Sequence, residues 1–154
     1  NKLDITIPCL EKLVDVVGTE EAPVKNMDFL GLQFSHTTWY MPQNGMRAAH
    51  QGGLYTEIVD GVVTTVLPEA AVNFSYAESI NIQNCAFTML GEGALKIAQG
   101  ANGNRIDSNT FTDVGGYGIY IGHTGQSRSL SWTAEQYDDR AVPRGNVIFG
   151  NYLN

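Results

Sequence analysis

The chain has 154 residues, which is enough for one domain with a sizeable apolar core. Its formal net charge of −7 makes a nucleic-acid backbone an unfavourable partner, and no apolar run reaches the about 18 residues that a membrane-spanning helix needs, so no membrane insertion is expected. Charged residues make up only 16% and there are 17 glycines, a balance typical of β-rich proteins with many tight turns.

Two segments near the start of the chain predict short strands. Residues 13–18 and 24–35 contain runs in which apolar and polar side chains alternate, a spacing typical of strands. No stretch in the repeated central part of the chain shows a convincing helical period of about 3.6 residues. We therefore expect an all-β chain.

The central part of the chain repeats itself at an offset of 24 residues. Ile106 stands 24 positions after Ile82, and Phe111 stands 24 positions after Phe87. A period between about 20 and 50 residues is typical of a solenoid, in which one supersecondary unit stacks on the next. Further matched pairs are Leu95 with Ile119 and Ile97 with Ile121.

Each repeat contains three short alternating runs. The first run lies around Ile82, the second around Phe87 and the third around Leu95. Because Gly and Asn separate the runs, each is predicted to be a strand, and stacking in register would give parallel sheets around an apolar interior. Asn109 and Asn151 take the same place in their coils, which predicts an Asn ladder.

Two longer spacings predict insertions between the coils. Phe29 precedes its equivalent Ile82 by 53 positions, which exceeds 24 by 29 and predicts an insertion at about 40–68. Ile148 follows its equivalent in the preceding coil by 42 positions, which exceeds 24 by 18 and predicts an insertion at about 124–144. Both insertions flank the third run, and long loops on a regular scaffold usually carry function.

Several phrases resemble a known group of proteins. Residues 31–39 (GLQFSHTTW), 84–87 (NCAF) and 109–119 (NTFTDVGGYGI) resemble right-handed parallel β-helix proteins of the pectin-lyase-like superfamily. They are most similar to bacterial carbohydrate-active members of the glycoside hydrolase family 141 type. In relatives of this kind a His often stands where this chain has Met89, a departure that puts activity in doubt if that His takes part in the chemistry.

The resemblance implies a right-handed parallel β-helix with about 24 residues in each coil. Residues 1–154 are then expected to form one β-helix domain. Because such relatives are usually several hundred residues long and Asn154 stops in mid-coil, we expect the chain to be a piece of a longer solenoid. Uncapped coil ends would allow self-association.

The outward side chains of the third run are the candidate substrate-binding residues. Asn73, Lys96 and Tyr120 are predicted to stand on successive coils, about 4.8 Å apart. A polar, partly aromatic strip of this kind suits a sugar chain, and a solvated sheet face is the alternative. Trp132, in the second insertion, is a further candidate sugar platform or a side chain that pins the loop.

Glycoside hydrolysis needs two carboxyl groups, separated by roughly 5–5.5 Å for retention and 6.5–9.5 Å for inversion. Asp113 and Glu92 are the preferred pair, because they fall in the same turn of neighbouring coils. The alternative is that Asp113 caps a turn and Glu92 is an exposed turn residue. His123 is a candidate acid or base at the mouth of the second insertion, or else a turn histidine. Asp138 and Asp139 are further carboxylates near the groove.

Neither a metal nor another cofactor is expected. The three histidines, among them His36 and His50, show no ligand spacing, and Cys9 and Cys85 form no CxxC motif. Cys85 falls at an inward position, so buried packing is expected. A polysaccharide lyase would instead use Lys96 or Arg105 as a base and often Ca²⁺, but no cluster of three or four Asp is apparent.

These features favour a glycoside hydrolase that acts on a plant or microbial polysaccharide. Its expected location is secreted or periplasmic, and its expected partner is an oligosaccharide or polysaccharide. Two alternatives stay open: a non-catalytic carbohydrate-binding or surface β-helix, and a polysaccharide lyase. The geometry of the carboxylates in the groove discriminates between the hydrolase and the binding protein.

Overall fold

The structure is a computed structural model, and it describes residues 5–43, 45–47, 55–122 and 141–154. Within these ranges the chain forms β-strands and no α-helix, so the prediction of an all-β chain is confirmed. Among the same residues no helix is long and apolar enough to cross a bilayer. In chain order the strands are β1 (Val14–Val17), β2 (Val24–Lys25), β3 (Asp28–Leu30), β4 (Gln33–Ser35), β5 (Gly45–Arg47), β6 (Tyr55–Val59), β7 (Val62–Val66), β8 (Ala70–Ser75), β9 (Ala77–Glu78), β10 (Asn81–Gln83), β11 (Ala86–Leu90), β12 (Gly93–Ile97), β13 (Arg105–Asp107), β14 (Thr110–Val114), β15 (Ile119–Ile121), β16 (Val147–Phe149) and β17 (Tyr152–Leu153).

Most strands belong to three four-stranded parallel sheets. The first sheet has the order β1-β8-β12-β15, the second β16-β13-β10-β3 and the third β17-β14-β11-β4. From β8 to β15 the chain visits the first, second and third sheets in turn and then returns to the first. Each circuit therefore places a new strand beside the strand of the preceding circuit.

The strand pairing follows the spacing that the sequence predicts. Ile82 pairs with Ile106 and Phe87 with Phe111, both 24 positions apart. Across the two longer spacings Phe29 pairs with Ile82 and Ile106 with Ile148. Equivalent side chains consequently stack on one another along each sheet.

The interior is a column of stacked apolar side chains. The rings of Phe34 and Phe87 are 4.8 Å apart between centroids, and those of Phe87 and Phe111 are 4.6 Å apart. All three side chains are buried, as are Phe74 and Ile106. The column arises because a strand period of two sends every second residue inward at the same height in each circuit.

Two ladders of Asn side chains join successive circuits. The predicted ladder is present: Asn109 Nδ2 donates to Asn151 Oδ1 at 3.0 Å, and Asn109 Oδ1 accepts from the Cys85 N–H at 2.8 Å. A second ladder, which the sequence did not suggest to us, joins Asn104 to Asn146 in the same way. Cys85 is buried as expected, and its sulfur accepts from the Leu32 N–H at 3.4 Å.

The turns between the sheets have a left-handed backbone at equivalent places. A positive φ recurs at matching positions of successive circuits, which lets the chain turn sharply from one sheet into the next. Glycine takes some of these positions without strain, whereas other residues have to tolerate the left-handed region. The matching positions are Asn26, Ser79, Gly103 and Gly145; Gly31, Asn84, Ser108 and Gly150; and His36, Met89 and Asp113.

Replacing Met89 by Asn is expected to stabilise the protein by about 0.5–1 kcal/mol, because Asn tolerates left-handed backbone better than Met does. Met89 has φ 52° and is 42% exposed, so its side chain contributes little packing. The free energy of unfolding in urea measures the gain. Thr88→Asn, at the neighbouring strand position, serves as the control, and equal effects of the two substitutions would contradict the prediction.

A small antiparallel sheet lies within the first predicted insertion. Strand β6 pairs antiparallel with both β5 and β7. Next to it the rings of Trp39 and Tyr55 are 5.7 Å apart between centroids. The second predicted insertion falls mostly on residues 123–140, which lie outside the described residues.

Candidate functional site

A row of polar side chains crosses the outer face of the first sheet. The register places Asp15 beside Asn73, Asn73 beside Lys96 and Lys96 beside Tyr120. The three predicted binding residues therefore stand on neighbouring strands, and Asp15 extends the row by one. Their contact with a sugar stays a prediction.

Asn73 has a structural task in this row. Its Nδ2 donates to the Ala70 carbonyl at 2.8 Å and to Asp15 Oδ1 at 3.0 Å, while its Oδ1 accepts from the Ala70 N–H at 3.0 Å. Asp15 in turn accepts from Lys12 at 2.7 Å. Both amide donors of Asn73 are thus used within the protein, which leaves only a spare acceptor lone pair for a ligand.

Lys96 forms the floor of a pocket beside this row. Only 8% of its side chain is exposed, and its Nζ lies 3.4 Å from Glu69 Oε2, whose side chain is 51% exposed. The pocket has a volume of about 270 Å³ and is lined by Lys12, Asp15 and Asn73 in addition to this ion pair. It is a polar recess in which a buried ammonium group faces a half-exposed carboxylate.

Two glutamates enter the first sheet side by side. Glu69 directly precedes Ala70, and Glu92 directly precedes Gly93. Ala70 and Gly93 pair with each other between β8 and β12. Our sequence interpretation assigned residue 68 to the end of the insertion and did not weigh Glu69. The signal that could have found it is the match of Pro68-Glu69-Ala70 to Gly91-Glu92-Gly93 at an offset of 23.

Glu92 is buried at the turn between the third and first sheets, with 3% of its surface exposed. Its carboxylate lies against Gly116, where any side chain would collide with Oε1. The expected alternative, an exposed turn glutamate, is therefore wrong as to exposure. The carboxyl group of Glu92 is thus held in a fixed place at the edge of the first sheet, as an acid or base acting on a bound sugar has to be.

Asp113 lies one circuit further, at the end of β14, and is exposed. It stands in the left-handed column with Met89 and His36, as the offsets of 24 and 53 predict. The circuits of Glu92 and Asp113 are adjacent, since Leu90 pairs with Val114. The preferred carboxylate pair thus occupies neighbouring circuits in different surroundings, one buried and one in solvent, and its catalytic role stays a prediction.

Tyr117 links these groups and was not singled out from the sequence. Its phenol donates to the Pro68 carbonyl at 2.7 Å, and its ring lies over Gly93, where a Cβ would collide with it. Its ring centroid is 5.7 Å from that of Tyr120. Burial, followed by the charges of Glu69 and Glu92, holds the pKa of Tyr117 well above its ordinary value of 10.0.

The raised pKa of Tyr117 predicts a loss of stability in strong alkali. Above about pH 10 the unfolded phenol loses its proton while the folded phenol keeps it, so the folded state binds more protons and stability falls as pH rises. Tyr117→Phe removes this contribution and should flatten the fall between pH 9 and pH 11, as urea unfolding at each pH can show. An equal slope in both proteins would contradict the prediction, and Tyr152→Phe, at an exposed tyrosine, is the control.

Most of the other candidate residues lie in parts of the chain that the structure does not describe. His123 and Trp132 lie outside the described residues, as do Asp138, Asp139 and His50. His36 is described, and its Nδ1 lies 2.9 Å from Ser35 Oγ. Among the described residues no group of three or more His, Cys, Asp or Glu could hold a metal ion.

Comparisons with known proteins give one structural likeness. No family model and no curated protein matches the chain. A solved structure named glycoside hydrolase is similar, with a TM-score of 0.84, 25% sequence identity and coverage of 96% of this chain. The chain spans 28% of the length of that protein. The similarity therefore covers nearly all of this chain but only a small part of the protein named glycoside hydrolase.

Proposed function

We propose that this chain is part of a carbohydrate-active protein, a glycoside hydrolase built on a right-handed parallel β-helix of the family 141 type. The observation that carries the proposal is the TM-score of 0.84 to a protein named glycoside hydrolase. The circuits of three parallel sheets, 24 residues apart, support the β-helix as the architecture. The insertions at about 40–68 and 124–144 would form the walls of its groove.

The saccharide is proposed to lie on the outer face of the first sheet. Lys96 and Tyr120 would meet it there, with Trp132 and His123 contributing from the second insertion. Glu92 and Asp113 are the proposed carboxyl pair at the edge of this face. The different surroundings of the two, one buried and one exposed, support different roles for them in the reaction.

A plant or microbial polysaccharide is the proposed substrate, and the secreted or periplasmic location follows from where such polymers occur. The reaction splits a glycosidic bond with water: the acid protonates the leaving oxygen, and the second carboxylate attacks the sugar or activates the water. Retention or inversion at the anomeric carbon would report which of the two occurs.

A product assay tests the proposal. The protein is incubated with a panel of polysaccharides, and new reducing ends, ultraviolet absorbance of unsaturated sugars and the anomeric signals of the first product are followed. Reducing ends without unsaturation support a hydrolase. Unsaturated products would overturn the hydrolase in favour of the lyase, with Lys96 or Arg105 as the base.

A non-catalytic binding protein is the second candidate. The observation in its favour is that the pocket lies over Lys96, whereas Glu92 is buried at the turn beside it. Saccharide binding in the absence of any product would support this candidate against the hydrolase.

A further inference from the structure

We propose that the pocket above Lys96 binds a carboxylate of an acidic saccharide and that Glu69 is a built-in competitor for the same ammonium group. This inference rests on the proposed carbohydrate function and deepens it, because it assigns a charged substrate class to the groove. Neither the likeness to a glycoside hydrolase nor the carboxylate pair implies such a charge preference.

The first step is the burial of Lys96. Its side chain is 8% exposed, and a buried ammonium group is costly unless charges or hydrogen bonds compensate it. The partner that the described part of the chain supplies is Glu69, at 3.4 Å. That distance exceeds the about 2.7–2.9 Å of a strong charge-assisted hydrogen bond, and Lys has three donors to offer. The ammonium group therefore makes fewer and longer hydrogen bonds than its three N–H donors allow.

The second step is the exposure of Glu69. Half of its side chain is in solvent, at 51%, so its carboxylate can move into water at little cost. An incoming carboxylate can take its place on Lys96 without changing the local charge balance at that ammonium. A neutral ligand cannot do this, because it would leave Lys96 buried without a counter-ion.

The third step is that Lys12, Asp15 and Asn73, which also line the pocket, already bond to one another. Asn73 uses both amide donors on Ala70 and Asp15, and Asp15 also accepts from Lys12. Lys12 and Asp15 neutralise each other, so an anion meets no net repulsion from them. The volume of about 270 Å³ lies below the roughly 300–1,000 Å³ of sites that enclose drug-sized ligands, which suits one sugar ring of a longer chain.

Titration calorimetry with matched probes tests the inference. Trigalacturonate and its methyl ester differ in charge and little else, and oligomers of glucuronate and mannuronate with their esters extend the comparison. We expect the protein to bind at least one acid about tenfold more tightly than its ester. Lys96→Met should remove this preference and Lys96→Arg should retain part of it, while Glu69→Gln should tighten acid binding several-fold by removing the competitor.

A second ion pair in the chain supplies matched controls. Lys25 and Glu78 are 2.6 Å apart on the small sheet of β2 and β9, away from the pocket. Lys25→Met and Glu78→Gln break a Lys–Glu pair in the same way and should leave the acid preference unchanged. Circular dichroism of Lys96→Met and Lys96→Arg confirms that the folds compared are intact.

The outcomes separate this inference from the proposed hydrolase. If no acid binds better than its ester, or if the preference survives Lys96→Met, the inference is overturned even when a neutral polysaccharide is hydrolysed. Lys96-dependent acid binding without any product upholds the inference and overturns the hydrolase. Acetate binding as tightly as the trisaccharides would overturn the saccharide part of the inference.

Discussion

Replacing Glu92 by Gln is expected to lower kcat on the polysaccharide substrate by about 10²–10⁴-fold, the usual contribution of a positioned acid or base. Gln keeps the shape that fits against Gly116, so the fold should survive the change. It removes the ionisable carboxyl group from a side chain that is only 3% exposed and that water cannot easily replace. Steady-state kinetics should show the loss in kcat, with KM changed little.

The matched control for this prediction is Glu78→Gln, at a glutamate ion-paired with Lys25 on another sheet. It should leave kcat unchanged. Asp113→Asn should lower kcat by a comparable factor if Asp113 is the partner carboxyl group. Full activity of Glu92→Gln with an unchanged pH profile would show that Glu92 is a structural residue of the turn.

Replacing Asn109 by Ala is expected to destabilise the protein by about 4 kcal/mol. Asn109 is 1% exposed, and its amide bonds the Cys85 N–H, the Ile82 carbonyl and Asn151. Truncation leaves the buried Cys85 N–H without its Asn109 partner, at about 1–3 kcal/mol, removes the amide bonds to the Ile82 carbonyl and to Asn151, at about 0.5–1.5 kcal/mol each, and opens a small cavity. The midpoint and slope of urea unfolding measure the loss.

Two further variants sharpen this prediction. Asn109→Asp keeps the volume but turns the two amide donors into acceptors that face the Ile82 carbonyl and the Asn151 Oδ1, so it should cost as much or more. Asn151→Ala, at the half-buried end of the same ladder, should cost less. A loss at Asn109 that is no greater than the loss at Asn151 would contradict the role assigned to the ladder.

The repeat in the sequence was sufficient to predict the strand register. Phe87 and Phe111 occur at the same place in consecutive circuits, and their rings stack at 4.6 Å. The spacing carries this information because parallel strands in register need equal residue counts per circuit. The same reasoning could have found the second ladder, since Asn146 follows Asn104 by the same 42 positions that separate Asn151 from Asn109.

The candidate site was predicted only in part. The row of Asn73, Lys96 and Tyr120 follows from the alternation along three strands, and the structure places these residues side by side. Glu69 and Tyr117 were missed because both lie outside the regular strands, where the strand period of two residues does not predict the direction of a side chain. Glu92 was predicted near the groove, but its burial depends on the packing of Gly116 in the next circuit.

Periods of two and 24 residues, which can be read along one chain, were enough to predict the strands of the three four-stranded sheets, their register and their inward-facing side chains, whereas the antiparallel sheet of β5, β6 and β7 was not predicted. The burial of Glu92, the ion pair of Lys96 with Glu69 and the hydrogen bond from Tyr117 to the Pro68 carbonyl could be seen only in the tertiary structure. These contacts join residues across circuits and at turns, where distance and burial depend on how the backbone bends. A linear pattern specifies which residues become neighbours, but the bend decides how close their side chains come and how much water lies between them.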